Sequence, residues 1–204
     1  MQIKNYSVHY GDRVLAENLQ VDFSSQVINV ISGANGSGKT TLLDFIAGIE
    51  IKGAKGQKID VPKQQDIAYQ LQRSHFFPTL TVAQTIQMYH RLSGEAVENN
   101  EAIFQIIKRE VLDKIWHVKM GQLSGGERQI ILTYGQCLLD RKLYVFDEPT
   151  SGVDVTNAKI IMKLINSLVQ KRQKLVILTT HNLEQLIDLP VRIIHIDSLS
   201  EQSN

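Results

Sequence analysis

At 204 residues, with 22 Lys plus Arg against 21 Asp plus Glu, the chain has room for one substantial core but not for two full-sized independent domains. Its formal net charge of +1 provides no overall field to draw it to nucleic acid or to an acidic membrane surface. No apolar run approaches the roughly 18 residues of a spanning helix and the amino-terminal segment has no secretory apolar region, so a soluble, cytosolic protein is expected. The single cysteine, Cys137, cannot form an internal disulfide and falls in a helical apolar pattern, which assigns it to packing; no Cys/His cluster has zinc spacing.

Residues 3–23 alternate in short stretches (Tyr6, Val8, Tyr10; Leu19, Val21, Phe23) around Gly11-Asp12, predicting antiparallel strands. Tyr10 lies just before that turn. Its ring is either a half-buried sheet residue or a flat face for a base at the rim. Ile28, Val30 and Ile31 then form a buried strand that meets Gly33, Ala34, Asn35, Gly36, Ser37, Gly38, Lys39 and Thr40, followed by Thr41 and by the helical residues Leu42, Leu43, Phe45, Ile46 and Ala47. Strand, glycine loop and helix at G-x-x-x-x-G-K-[ST] spacing make a phosphate loop, whose N–H groups curl around an anion at the positive end of the helix. Lys39 is suited to the β/γ-phosphates, and the Thr40 hydroxyl to Mg²⁺, which takes hard oxygen ligands. The loop alone does not choose among kinases, GTPases, ATPases and motors.

Residues 53–62 are basic and turn-rich, and a strand follows from Asp66 to about Gln72. Phe76-Phe77-Pro78 is an apolar knot with an exposed look, closed by a Thr81/Gln84 capping box that starts a helix running to about Leu92. Residues 94–100 are polar and loop-like. The stretch 101–118 is helical again, with Ile103, Ile106, Ile107, Val111 and Ile115 on one side. Residues 73–140 therefore form a helical insertion within a single domain spanning 1–204.

Leu123-Ser124-Gly125-Gly126-Glu127 opens another helix, continued by Ile130, Ile131, Tyr134 and Leu138. A capping box accounts for Ser124 and Glu127. It does not account for two glycines, each costing about 1 kcal/mol within a helix, and these point to close approach by an anion. The apolar strand 143–146 ends in Asp147-Glu148. Ligands gather at the carboxyl ends of such strands, so Asp147 is placed to orient Mg²⁺ and Glu148 to take a proton from an attacking water; an acidic turn capping the next helix is the plainer alternative. Asp154 has the position of that helix's N-cap. The strand 175–178 leads to His181, a surface or capping histidine unless the strand end makes it functional. A last strand spans 191–196, and the polar tail 198–204 is expected to be disordered.

GANGSGKT, LSGGE, YVFDE and a histidine after the next strand, in that order, resemble the nucleotide-binding subunit of ATP-binding cassette (ABC) transporters, over about residues 3–196. The resemblance implies an α/β fold: a P-loop NTPase core with a mixed sheet, an amino-terminal antiparallel β subdomain and a helical signature subdomain. It implies an ATPase that uses ATP and Mg²⁺. Tyr10 takes the place of the adenine-stacking aromatic, Gly33 to Thr40 of the Walker A loop, and Gln72 of the glutamine that contacts Mg²⁺ or the attacking water. Ser124, Gly125, Gly126 and Glu127 match the signature, Asp147 the Walker B aspartate, Glu148 the catalytic base, Asp154 the D-loop aspartate, and His181 the switch histidine. The family's partners are implied too: a second nucleotide-binding subunit, identical or related, across an ATP sandwich, and a separate transmembrane permease holding the protein on the cytoplasmic face. Ile130 stands where the family often has arginine, and Tyr134 and Gln136 where alanines are common. A compact cassette leans toward export of peptides, lipids or drugs. The alternative is a non-transport relative working on nucleic acid or the ribosome, against which the near-neutral charge argues. A GTPase or small-molecule kinase is more distant, because no N-K-x-D sequence follows the loop.

Overall fold

The computed structural model describes residues 1–11, 13–72, 75–93 and 102–196, with the side chain of Tyr10 outside that description. The polar loop 94–100 and the tail 198–204 expected from the sequence lie outside the described residues.

Strands β1 (Gln2–Tyr10) and β2 (Arg13–Asp22) form the expected antiparallel hairpin, with Ile3 opposite Val21 and Tyr10 opposite Arg13. The chain then enters β3 (Ile28–Ser32), turns through the glycine loop and winds into α1 (Lys39–Ala47). Buried Asn29 is fully used: its amide donates to the carbonyls of Ser24 and Val176 and its oxygen accepts from the Ser24 N–H, fixing the entry into β3. A third antiparallel strand, β4 (Lys55–Ile59), pairs with the other edge of β1 where the sequence predicts only turn. Four of its five residues are exposed, so no alternation marks it; the lysines are typical of a protected sheet edge.

The second sheet adds β5 (Ile67–Gln70), β6 (Leu143–Asp147), β7 (Leu175–Thr179) and β8 (Val191–His195) in the order β5-β6-β7-β3-β8, and every pairing is parallel. The two strand directions are therefore divided between two sheets. Central strands buried on both faces read as continuous apolar runs, as LYVF and LVIL do. Val30, Phe146 and Leu178 face one core, while Ile31, Val145 and Ile177 face the other with Leu43 and Ile46 of α1 and the inner face of the hairpin.

The helical layer comprises α2 (Val82–Ser93), α3 (Ala102–Ile107), α4 (Asp113–Ile115), α5 (Gly125–Leu138) and α6 (Val155–Gln170). A π-helical stretch, Lys108–Leu112, joins α3 to α4 and interrupts the single helix predicted over 101–118. The Thr81/Gln84 box caps α2 as expected: the Thr81 N–H donates to Gln84 Oε1 at 2.9 Å and the Gln84 N–H to Thr81 Oγ1 at 3.2 Å. On α5, Ile130 is fully buried and the Tyr134 ring centre lies 5.1 Å from that of Phe104, so these two of the three departures from the family pattern serve packing. Cys137 is buried, in the packing role expected of it. Among the described residues no helix is long and apolar enough to cross a membrane.

Candidate nucleotide site

Parallel strands deliver their carboxyl ends to one edge of the sheet, and β3, β6 and β7 are neighbours there. Gly36 and Gly38 adopt left-handed backbone, φ +76 and +93, so the loop after β3 can turn sharply enough to aim its N–H groups inward. The Lys39 ammonium closes the loop, donating to the carbonyls of Gly33 and Ala34 at 2.9 Å each. Ser37 N–H donates to Ala34 O at 3.2 Å, and the Ser37 hydroxyl is buried without a partner.

A cavity of about 400 Å³ opens over this loop. Asn35, Gly36, Gly38, Lys39, Thr40, Thr41, Gln72, Asp147, Glu148 and His181 line it, so residues far apart in sequence share one space. Arg13 and Leu15 of β2 line it as well, and neither was singled out from sequence.

The acidic side is built around Thr179, at the end of β7 in register with Asp147. Its hydroxyl donates to Asp147 Oδ1 at 2.6 Å and accepts the Glu148 N–H at 3.0 Å, while the Thr40 hydroxyl donates to Asp147 Oδ2 at 2.8 Å. Glu148 has left-handed backbone, φ +52, and is 7% exposed; its Oε1 lies 2.8 Å from His181 Nε2. Burial raises its pKa above the ordinary 4.5, an effect that the charge of His181 opposes and that of Asp147 reinforces. The alternative of a simple acidic cap does not hold here, because Asp147 and Glu148 are buried and bound to α1 and β7 rather than to the start of α6. A threonine hydroxyl and a carboxylate held together beside a phosphate loop are hard oxygen donors of the kind Mg²⁺ takes alongside phosphate and water, and Gln72 lines the same cavity.

Asp44 of α1 is a further carboxylate near this centre. Burial raises its pKa, the 2.8 Å hydrogen bond from the Tyr69 hydroxyl opposes the rise, and the charge of Asp147 adds to it.

The signature residues are elsewhere. Ser124 caps α5, its N–H and hydroxyl donating to Glu127 Oε2 at 2.9 and 2.8 Å and its Oγ accepting the Glu127 N–H at 3.2 Å. Asp154 caps α6, and the hydrogen bonds from Asn157 and Thr156 hold its carboxyl below the usual range. The two glycines differ. A Cβ on Gly126 would lie 2.8 Å from Asn157 Nδ2 and 3.3 Å from Asp154 Oδ2, the ends of two side chains at the start of α6 that would have to shift to admit it; a Cβ on Gly125 would meet nothing within 4 Å. Gly125, with no neighbour to exclude a side chain, keeps the anion argument intact. Ser124, Gly125, Gly126, Glu127 and Asp154 do not line the loop cavity. Immediately after the signature, Arg128 donates to the Leu123 and Met120 carbonyls and stacks 4.4 Å over the Phe76 ring, tying that segment to the apolar knot, where Phe77 is 61% exposed.

Known proteins share the sequence pattern and the fold. The family model described as ABC transporter matches residues 16–151. The zinc import ATP-binding protein ZnuC of Buchnera aphidicola is 32% identical over 181 residues, 89% of this chain and 74% of that protein. The zinc uptake system ATP-binding protein ZurA of Listeria innocua is 28% identical over 200 residues, 90% of this chain and 77% of its own length. Among solved structures, a dimeric ATP-binding cassette in a post-hydrolysis state with ADP and Pi superposes with a TM-score of 0.74 at 20% identity, over 96% of this chain and 93% of its own, a likeness of fold. The chain is a member of the ABC transporter family, one of its ATP-hydrolysing cassettes.

Proposed function

We propose that two cassettes of this kind close head to tail around two MgATP molecules, and that hydrolysis reopens them to drive transport through a separate membrane chain. One observation carries the reading: Lys39, Thr40, Asp147, Glu148 and His181 share one cavity while Ser124 and Gly125 lie exposed at the start of α5, outside it. Each cassette then holds half of each site.

In this reading Lys39 and the loop N–H groups hold the β/γ-phosphates. Thr40 and Asp147 hold Mg²⁺ together with Gln72, and the ion's contribution is to offset phosphate charge. Glu148, whose raised pKa suits a base, accepts the proton of the attacking water, and His181 steadies its carboxylate and reaches toward the γ-phosphate. Asp154 holds the α6 start against Gly126. Tyr10, whose family role is to stack on adenine, belongs at the hairpin end beside Arg13.

The exposed Phe77, and a second cavity of about 210 Å³ lined by Tyr69, Gln70, His75, Tyr89, Leu132 and Gln136, support docking of the membrane chain on this side. Such docking would hold the protein at the membrane. The transport names of the relatives support a transporter over a nucleic-acid or ribosomal ATPase, and two zinc-uptake relatives favour import over the export that compactness suggested.

The test is the mass of Glu148→Gln by light scattering with and without MgATP, beside the same protein carrying Ser124→Arg. Dimer only with MgATP, lost in the double variant, is the expected result. A monomer that demonstrably binds ATP, at concentrations up to about a hundred micromolar, would overturn the sandwich for the isolated chain.

A further inference from the structure

Arg13 opens β2 directly across the hairpin from Tyr10, and no motif in the chain includes it. Its guanidinium leaves its own sheet and reaches the phosphate loop. Nη2 donates to the Gly36 carbonyl at 3.0 Å, and a Cβ built on Gly36 would lie 3.2 Å from that same nitrogen. The planar group therefore rests against the α-carbon of the loop's middle glycine, and side-chain bulk at position 36 would displace it.

The place matters because Arg13 also lines the loop cavity, together with Lys39 and His181. A guanidinium carries five N–H donors in a rigid plane and stays charged at every working pH. The Gly36 carbonyl uses one donor and does not neutralise the charge, and the described carboxylates lining the cavity, Asp147 and Glu148, are bound to Thr40, Thr179 and His181 instead. A permanent cation anchored by a backbone carbonyl at the mouth of a polyphosphate site has the chemistry to pair with phosphate oxygen.

We infer that Arg13 is a further nucleotide-binding residue, its guanidinium anchored on the Gly36 carbonyl and paired with a phosphate oxygen of ATP. One side chain then links the hairpin that ends in Tyr10 to the loop that holds the phosphates. The inference rests on the cavity being the nucleotide site.

Three substitutions separate charge from hydrogen bonding. Arg13→Gln loses the charge and keeps an amide donor, though one two bonds shorter than the guanidinium; Arg13→Lys keeps the charge in a different shape; Arg13→Ala loses both. Equilibrium dissociation constants for ATP are measured with a fluorescent analogue at about 50 and 300 mM salt, with a melting curve for each variant to establish folding. The expected result is ATP binding about tenfold weaker in Ala and Gln, within about threefold of wild type in Lys, with the gap narrowing at high salt. Wild-type affinity in Arg13→Gln with loss only in Arg13→Ala would overturn the inference and leave a hydrogen-bonded clasp. So would equal affinity in all four proteins, or a gap indifferent to salt. Failure of the wild type itself to bind ATP would instead remove the cavity's assignment.

Discussion

Glu148 combines two unfavourable states, a left-handed backbone that costs a non-glycine residue roughly 1 kcal/mol and a carboxylate buried beside Asp147. Groups held this way are found where chemistry needs them. An acid whose folded pKa lies above its unfolded value gives its full stability below the unfolded pKa and loses it as pH rises through the folded one. Glu148→Gln is therefore expected to melt above wild type near pH 7.5 without nucleotide, the difference shrinking as pH falls toward 4.5; differential scanning calorimetry across that range checks it. The same substitution is expected to lower phosphate release by about a hundredfold or more, the usual worth of a positioned base. Asp147, Glu148 and His181 were legible because strand ends and loop spacing mark them. Thr179 and Arg13 were not, since Thr179 acts through its register with Asp147 and Arg13 through a contact between two layers. Neither relation exists in one dimension.

At the scale of elements, the meeting of α2 and α5 depends on Gly135. A Cβ there would lie 2.2 Å from the buried Tyr89 ring, a clash that neither helix can absorb without moving. Gly135→Ala is expected to cost about 1–3 kcal/mol despite the better helix propensity of alanine, measured by urea unfolding, and Tyr89→Leu in the same chain is expected to recover part of it. The glycine also shows why Tyr134 and Gln136, bulky where the family favours alanine, are tolerated: the close approach falls on the residue between them. The helices were legible in sequence through their apolar period and the Thr81 and Ser124 capping boxes. Strand β4 was hidden because an exposed edge strand has no apolar face to alternate, and the π-helical stretch because one added residue per turn leaves the pattern of Ile107, Val111 and Ile115 almost unchanged.

Over the whole molecule, the two-core layout places the phosphate loop and the signature on different layers, joined through the sheet rather than through each other. Hydrolysis and nucleotide binding should therefore separate experimentally. Removing Mg²⁺ with EDTA is expected to abolish phosphate release while fluorescent ATP still binds, because Lys39 and the loop N–H groups remain; loss of binding on chelation would show that the ion carries the affinity. Order of motifs made the architecture legible from GANGSGKT to His181, but not which side of the molecule each motif occupies, since that follows from the strand order β5-β6-β7-β3-β8.

That strand order also fixes when, during its manufacture, the protein can first hold a ligand. Val30, in the interior strand β3, is flanked by Leu178 of β7 on one side and Ile193 of β8 on the other. A nascent polypeptide that has emerged only as far as Glu148 carries the whole glycine loop, yet β3 lacks both of its sheet neighbours and its apolar residues are open to water. Pairings between such distant segments form slowly and leave sticky intermediates. Ribosome-bound fragments ending before β7 should therefore be clients of chaperones and indifferent to ATP, and nucleotide should begin to protect the chain from protease only after β8 has cleared the exit tunnel.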